Sequence, residues 1–151
     1  MKILFLSFLI SLLTSCVTQE QISTNELSSV RNEVAILHFW ATWCTSCKEE
    51  LKEINDHIYD LFKEYPKVKF VLVSVDHDSV EAKLFLKENF PGLLRYSYFD
   101  PSITLPGYFN INVFPATVLS DKGKMVKVWG FEKEPVKQMI IEIYKSGYKK
   151  D

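Results

Sequence analysis

The chain alternates between apolar runs and polar stretches. Ile3 to Leu13 is apolar apart from Ser7 and Ser11, whereas residues 17–32 are polar with scattered apolar side chains. That polar stretch has neither a helical nor a strand period and is expected to be a flexible tether. From Val34 the pattern changes. Val34-Ala35-Ile36-Leu37-His38-Phe39-Trp40 is nearly continuous and apolar, as in a strand covered on both faces. Leu51, Ile54, Ile58, Leu61, Phe62 and Tyr65 then recur at helical spacing, predicting one buried stripe on a helix ended by Pro66. Lys67 to Val75 reads as a second buried strand. Ser79 to Phe90 reads as a helix with a stripe of Val80, Leu84, Phe85 and Phe90, stopped by Pro91-Gly92. A less regular stretch runs through Pro101 and Pro106. Ala116 to Leu119, a turn at Asp121-Lys122-Gly123-Lys124, and Met125 to Phe131 predict a β-hairpin. A last helix from Glu134 carries Val136, Met139, Ile140, Ile143 and Tyr144 on one face. The order β-α-β-α-β-β-α implies an α/β domain, a central sheet with helices on both faces.

The first apolar run is about half the roughly 20 residues that a membrane-spanning helix needs. Following Met1-Lys2, it reads as the apolar region of a secretory signal. Leu13-Thr14-Ser15-Cys16 closes it in the manner of a bacterial lipobox, in which the peptidase cuts before the cysteine and lipid is added to it. The competing reading is ordinary cleavage nearby with an incidental free Cys16. The expected division is therefore a lipoprotein signal over 1–15, a lipidated Cys16 with a tether over 16–33, and one folded domain over 34–151. Such a chain is tethered outside the cytoplasmic membrane, facing the periplasm where a cell has an outer membrane.

Composition narrows the classes further. The chain has 151 residues, 47% hydrophobic and 25% charged, which fits one globular domain and excludes a disordered or fibrous chain. Lys plus Arg number 18 against 19 Asp plus Glu, so charge supports no nucleic-acid partner. Three cysteines are too few for a disulfide-stapled mini-domain.

Two of those cysteines carry the candidate chemistry. Cys44-Thr45-Ser46-Cys47 sits where the first strand meets the first long helix. Residues three apart on a helix have Cβ atoms about 5–6 Å apart, a separation that a disulfide tolerates. The free N–H groups and the dipole at a helix N-terminus favour an anion, here a thiolate. Cys44, at the cap where a side chain can be exposed, is the candidate attacking thiol. Cys47, one turn later and pointing inward, is the candidate resolving thiol. A zinc site would need two more ligands, and His38, His57 and His77 are scattered. A purely structural disulfide closing so small a loop would stabilise little.

Phe39-Trp40-Ala41-Thr42-Trp43-Cys44-Thr45-Ser46-Cys47-Lys48-Glu49-Glu50-Leu51 resembles the active-site segment of the TlpA/ResA-like branch of the thioredoxin superfamily. Val73-Ser74-Val75-Asp76 is similar to that branch's second core strand, Phe114-Pro115-Ala116-Thr117 to its cis-proline strand, and Asp121-Lys122-Gly123-Lys124 to its hairpin turn. The likeness runs from Val34 to Tyr144. It implies a thioredoxin fold with a central mixed sheet and a membrane-tethered thiol–disulfide oxidoreductase. Its substrates would be protein thiols or disulfides, with a membrane redox partner and with neither cofactor nor metal. The resemblance also implies a cis bond before Pro115. The bend there would offer the Phe114 backbone to an extended substrate chain, and Trp43 would shield Cys44 on the docking side.

Three positions depart from the family. Thr45-Ser46 stands where a proline usually precedes the second cysteine. His38 stands where thioredoxins bury an Asp and TlpA-like proteins often carry Asn. There an imidazole either relays the Cys47 proton or is a core histidine satisfied by a carbonyl. His77 stands where ResA-like members place a Glu near the active site, and is either a tuning residue or merely solvated. Asp76 and Lys48 read as solvated residues, with tuning of the thiolate by charge as the alternative. The other functional class is a binding module that keeps this fold for a metal or a protein partner without redox turnover. Copper-delivery domains of the fold, however, have Cys-x3-Cys with a distal His, and this spacing is one residue shorter.

Overall fold

The computed structural model of the protein describes Ser28 and residues 30–148. The expected signal segment and Cys16 lie outside these residues. Strand β1 (Val34–Trp40) leads into the long helix α1 (Thr45–Glu64), then β2 (Val68–Ser74) and α2 (Ser79–Asn89). A 3-10 turn (Pro91–Tyr96), a short strand β3 (Ser97–Phe99) and a short helix α3 (Thr104–Tyr108) follow. The hairpin β4 (Ala116–Asp121) and β5 (Lys124–Trp129) precedes the last helix, α4 (Pro135–Lys145).

The five strands form one mixed sheet in the order β3-β2-β1-β4-β5. β1 and β2 are parallel, as are β2 and β3, while β4 runs antiparallel to β1 and to β5. β1 is central and almost wholly buried, which explains its unbroken apolar run. Its alternate side chains serve opposite faces. His38 and Trp40 meet Glu50 of α1 and Phe85 of α2, whereas Phe39 meets Phe109, just beyond α3. Helices thus cover both faces, as the pattern predicts. In the hairpin Lys122 and Gly123 both have positive φ, 50° and 77°. That is the two-residue turn whose twist suits the flanking strands, and glycine takes its second position without steric cost.

Four details differ from the expectation, the first being Tyr144, which the apolar pattern puts on the inner face of α4 but which is exposed. β3 is an additional edge strand inside the stretch read as irregular. In α2 the buried residues are Ala82 and Leu86, while Val80 and Leu84 are 65% and 50% exposed. Small Ala82 carries little hydropathic weight, and of the visible stripe only Phe85 and Phe90 pack against the core. Val30, within the stretch expected to be a tether, lies in a helical turn and is 4% exposed, part of the core.

Candidate functional site

β1 ends against its parallel neighbour: the Val75 N–H donates to the Trp40 carbonyl oxygen at 2.9 Å. The chain then turns, with the Cys44 N–H donating to the Ala41 oxygen at 3.1 Å, and α1 begins. Cys44 is the N-cap of α1, and its sulfur accepts the Cys47 N–H at 3.2 Å, the role an N-cap oxygen usually plays. The two cysteines form a disulfide, with Cα atoms 5.2 Å apart. Cys44 is 6% exposed and Cys47 0%, so Cys44 is the more exposed of the two but more covered than its position at the cap suggests. The Ser46 hydroxyl oxygen lies 3.7 Å from the Cys44 sulfur.

The turn before Cys44 is held by Asp76, which is not a solvated residue but 3% exposed. Its carboxylate accepts the Thr42 N–H at 3.0 and 3.1 Å, the Thr42 hydroxyl at 2.6 Å and the Ser74 hydroxyl at 2.9 Å. Lys48, by contrast, is exposed and holds its ammonium 5.3 Å from the centre of the Phe85 ring.

Below the cysteines lies a buried polar pair. His38 is fully buried, with Nδ1 2.9 Å from the Thr117 hydroxyl oxygen and Nε2 3.4 Å from Oε2 of Glu50. Glu50 is 2% exposed, one turn beyond Cys47 on α1, and its other oxygen accepts the Glu132 N–H. Neither His38 Nε2 nor Glu50 Oε2 has a hydrogen-bond partner among the described residues, so the two atoms face each other at ion-pair distance without a hydrogen bond. Burial pushes His38 down to about 3, so its imidazole is neutral at pH 7. Burial likewise raises Glu50 to about 7, helped by the nearby Glu132 and Glu53 carboxylates and opposed by the Glu132 N–H. In the tautomer that donates Nδ1–H to Thr117, the Nε2 lone pair faces the Glu50 carboxyl. The polar partner of His38 is therefore a hydroxyl and a carboxyl rather than the backbone carbonyl of the core-histidine reading.

On the rim, the Phe114–Pro115 bond is cis and Pro115 is buried immediately before β4. Trp43 is 65% exposed, and its ring meets that of half-buried Phe114 edge to face at 6.2 Å. His77 is exposed, with Nδ1 3.4 Å from the Pro101 carbonyl oxygen, and no contact among the described residues links it to the cysteines.

A family model described as thioredoxin-like matches residues 32–126. The chain belongs to the thioredoxin-like family. The thiol-disulfide oxidoreductase ResA of Bacillus subtilis (strain 168) is 32% identical over 107 residues, covering 68% of this chain and 56% of that protein. ResA of Bacillus cereus (strain ZK / E33L) is 28% identical over 106 residues, covering 68% of this chain and 57% of its own length. This thioredoxin-like chain thus spans little more than half the length of these curated relatives. Among solved structures, StoA from Bacillus subtilis aligns with a TM-score of 0.58 at 25% identity, covering 73% of this chain and 84% of that one.

Within this thioredoxin-like domain, sequence reasoning brought the cysteines, His38, Trp43, Phe114 and Pro115 into view but gave Glu50 no role. Its position was a signal: Glu50 shares the stripe of Cys47, Leu51, Ile54, Ile58 and Leu61, where a carboxyl must be buried. A carboxyl on an apolar stripe needs a partner, and His38 faces it.

The pair makes a pH prediction. Between 4.5 and about 7 folded Glu50 keeps a proton that the unfolded chain has released, so its contribution to stability falls as pH rises. Between about 3 and 6.5 folded His38 excludes a proton that the unfolded chain binds, so stability rises with pH. In the parent the two slopes oppose each other where the windows overlap. Glu50→Gln leaves the histidine slope and His38→Asn leaves the glutamate slope. Denaturant midpoints measured from pH 4.5 to 6.5 should therefore rise for the first variant and fall for the second relative to the parent; three parallel profiles would contradict the buried pair.

Proposed function

We propose that this chain is a membrane-tethered thiol–disulfide oxidoreductase acting outside the cytoplasm. One observation carries the activity: a Cys44–Cys47 pair bridged across the first turn of α1, with the Cys44 sulfur at the N-cap. The names of the ResA relatives agree with it.

In the reduced chain the Cys44 thiolate attacks one sulfur of a substrate disulfide. The substrate's other sulfur leaves as a thiolate, and a mixed disulfide forms. Cys47 then loses its proton and attacks the Cys44 sulfur. The second substrate thiolate leaves, and the disulfide seen here is restored, with two electrons passed to the substrate. The reverse sequence oxidises a substrate dithiol. The N–H groups and the dipole of α1 stabilise Cys44 as a thiolate and as a leaving group. Trp43 and Phe114 form an apolar shelf beside it, and the bend at Pro115 offers the Phe114 backbone to an extended chain. In this reading the Cys47 proton passes to the buried His38–Glu50 pair, whose member that titrates near neutrality is Glu50.

Anchoring rests on the sequence: an apolar run too short to span a bilayer, closed by Leu13-Thr14-Ser15-Cys16. Among the described residues no helix is long and apolar enough to cross a membrane. A lipid on Cys16 would hold the domain at the surface, within reach of a membrane redox partner.

Trapping tests the division of labour. Cys47→Ser should accumulate a mixed disulfide through Cys44 on non-reducing gels, with Cys44→Ser trapping at least about tenfold less; equal trapping by both variants would refute the assigned roles. Fractionation tests the anchor. Cys16→Ser should release the protein from the membrane fraction, and a variant as membrane-bound as the parent would exclude lipidation there.

A further inference from the structure

Asp76 is a buried carboxylate that the exchange chemistry does not use. It lies just past the end of β2, and its carboxylate joins Ser74 of that strand to the turn that delivers Cys44. Thr42 gives it two donors, backbone and hydroxyl. Ser74 locks the carboxylate from behind, donating through its hydroxyl to Oδ2 while accepting the Asp76 N–H at 3.2 Å. Ser74 is itself fixed, because its carbonyl accepts the Asp100 N–H at 2.9 Å and its strand pairs with β1 and β3. The turn from Ala41 to Cys44 has one internal hydrogen bond, the Cys44 N–H to the Ala41 oxygen. Without Asp76 the Thr42 N–H and hydroxyl would lose the acceptor they share here, leaving the exposed Trp43–Phe114 ring contact to hold the middle of the turn.

We propose that Asp76 is a positioning residue for Cys44. Through Thr42 it anchors the β1–α1 turn to the end of β2, and so keeps the Cys44 sulfur in the N-cap position where α1 stabilises its thiolate. The benefit of a helix N-terminus is confined to its first turn, so a small shift of this turn removes the sulfur from it. The same anchor fixes Trp43, the next residue, against Phe114. The role is geometric, because the carboxylate's own negative charge would disfavour a neighbouring thiolate. Charge and geometry therefore predict opposite signs when the carboxylate is removed.

This inference rests on the oxidoreductase reading, and the test separates the two. Reduced parent and variants of the full chain are mixed with Ellman's reagent at pH 7, with Cys44 located as the reacting thiol by fragment mass spectrometry. Each protein is also melted in denaturant, so that rates refer to folded protein. Asp76→Ala should slow the reaction about tenfold or more. Asp76→Asn keeps an acceptor for Thr42 and should stay within about threefold of the parent, and Thr42→Val, which retains only the backbone donor, should be slowed by an intermediate factor. Parent-like rates in folded Asp76→Ala and Thr42→Val would reduce Asp76 to a purely structural residue and overturn the proposal. Faster reaction in both Asp76→Ala and Asp76→Asn would overturn it in favour of charge, and an Asp76→Asn as slow as Asp76→Ala would remove positioning as the cause. If Asp76→Ala does not fold, Thr42→Val decides by the same criterion. A parent pair that shows no reversible redox transition against glutathione defeats the functional reading alone, since Asp76 is judged only by the ratio of variant to parent.

Discussion

The site is organised by one hydrogen bond: the first turn of α1 needs an acceptor for its free N–H groups, and the Cys44 sulfur provides it for Cys47. The arrangement joins fold to chemistry. A helix N-terminus stabilises negative charge, and here the group that bears the charge also completes the helix. The second sulfur sits one turn along the same helix, fully buried, so a bond between the two closes with little backbone movement. Everything that fixes where α1 starts therefore acts on the reactivity of the sulfur.

Two buried polar groups do this fixing from different sides of a largely apolar core. Asp76, past the end of β2, ties down the turn before Cys44. The His38–Glu50 pair lies under the first turns of α1 and connects β1, β4 through Thr117, and the segment before α4 through the Glu132 N–H. Burying such groups is costly unless they are paired, and the pairing here has a chemical consequence. Desolvation pushes the histidine down and the glutamate up, which leaves the glutamate as the member of the pair that titrates near neutrality.

Much of this was legible in the sequence, for identifiable reasons. β1 and α1 announce themselves because one is buried on both faces and the other carries a continuous stripe, and the Cys-x-x-Cys spacing marks their junction. The hairpin turn is legible from Lys122-Gly123, which suits positive φ. The face of α2 was not, because its packed positions include Ala82 while larger Val80 and Leu84 point to solvent. β3 is only three residues long and half-buried, too short for a period to appear. Asp76 and Glu50 are charged residues whose partners, Thr42 and His38, come from other elements. Only the folded register brings these partners together.

The central claim is that Cys44 and Cys47 exchange electrons as a pair. The most direct measurement equilibrates the full chain in glutathione redox buffers and follows the oxidation state of these two cysteines by alkylation and mass spectrometry. The account predicts one reversible transition in which both thiols change together, with a two-electron slope of about 30 mV per tenfold change in the oxidised-to-reduced ratio. A pair that stays fixed in one state across the buffer series, or two cysteines that titrate independently, would contradict it.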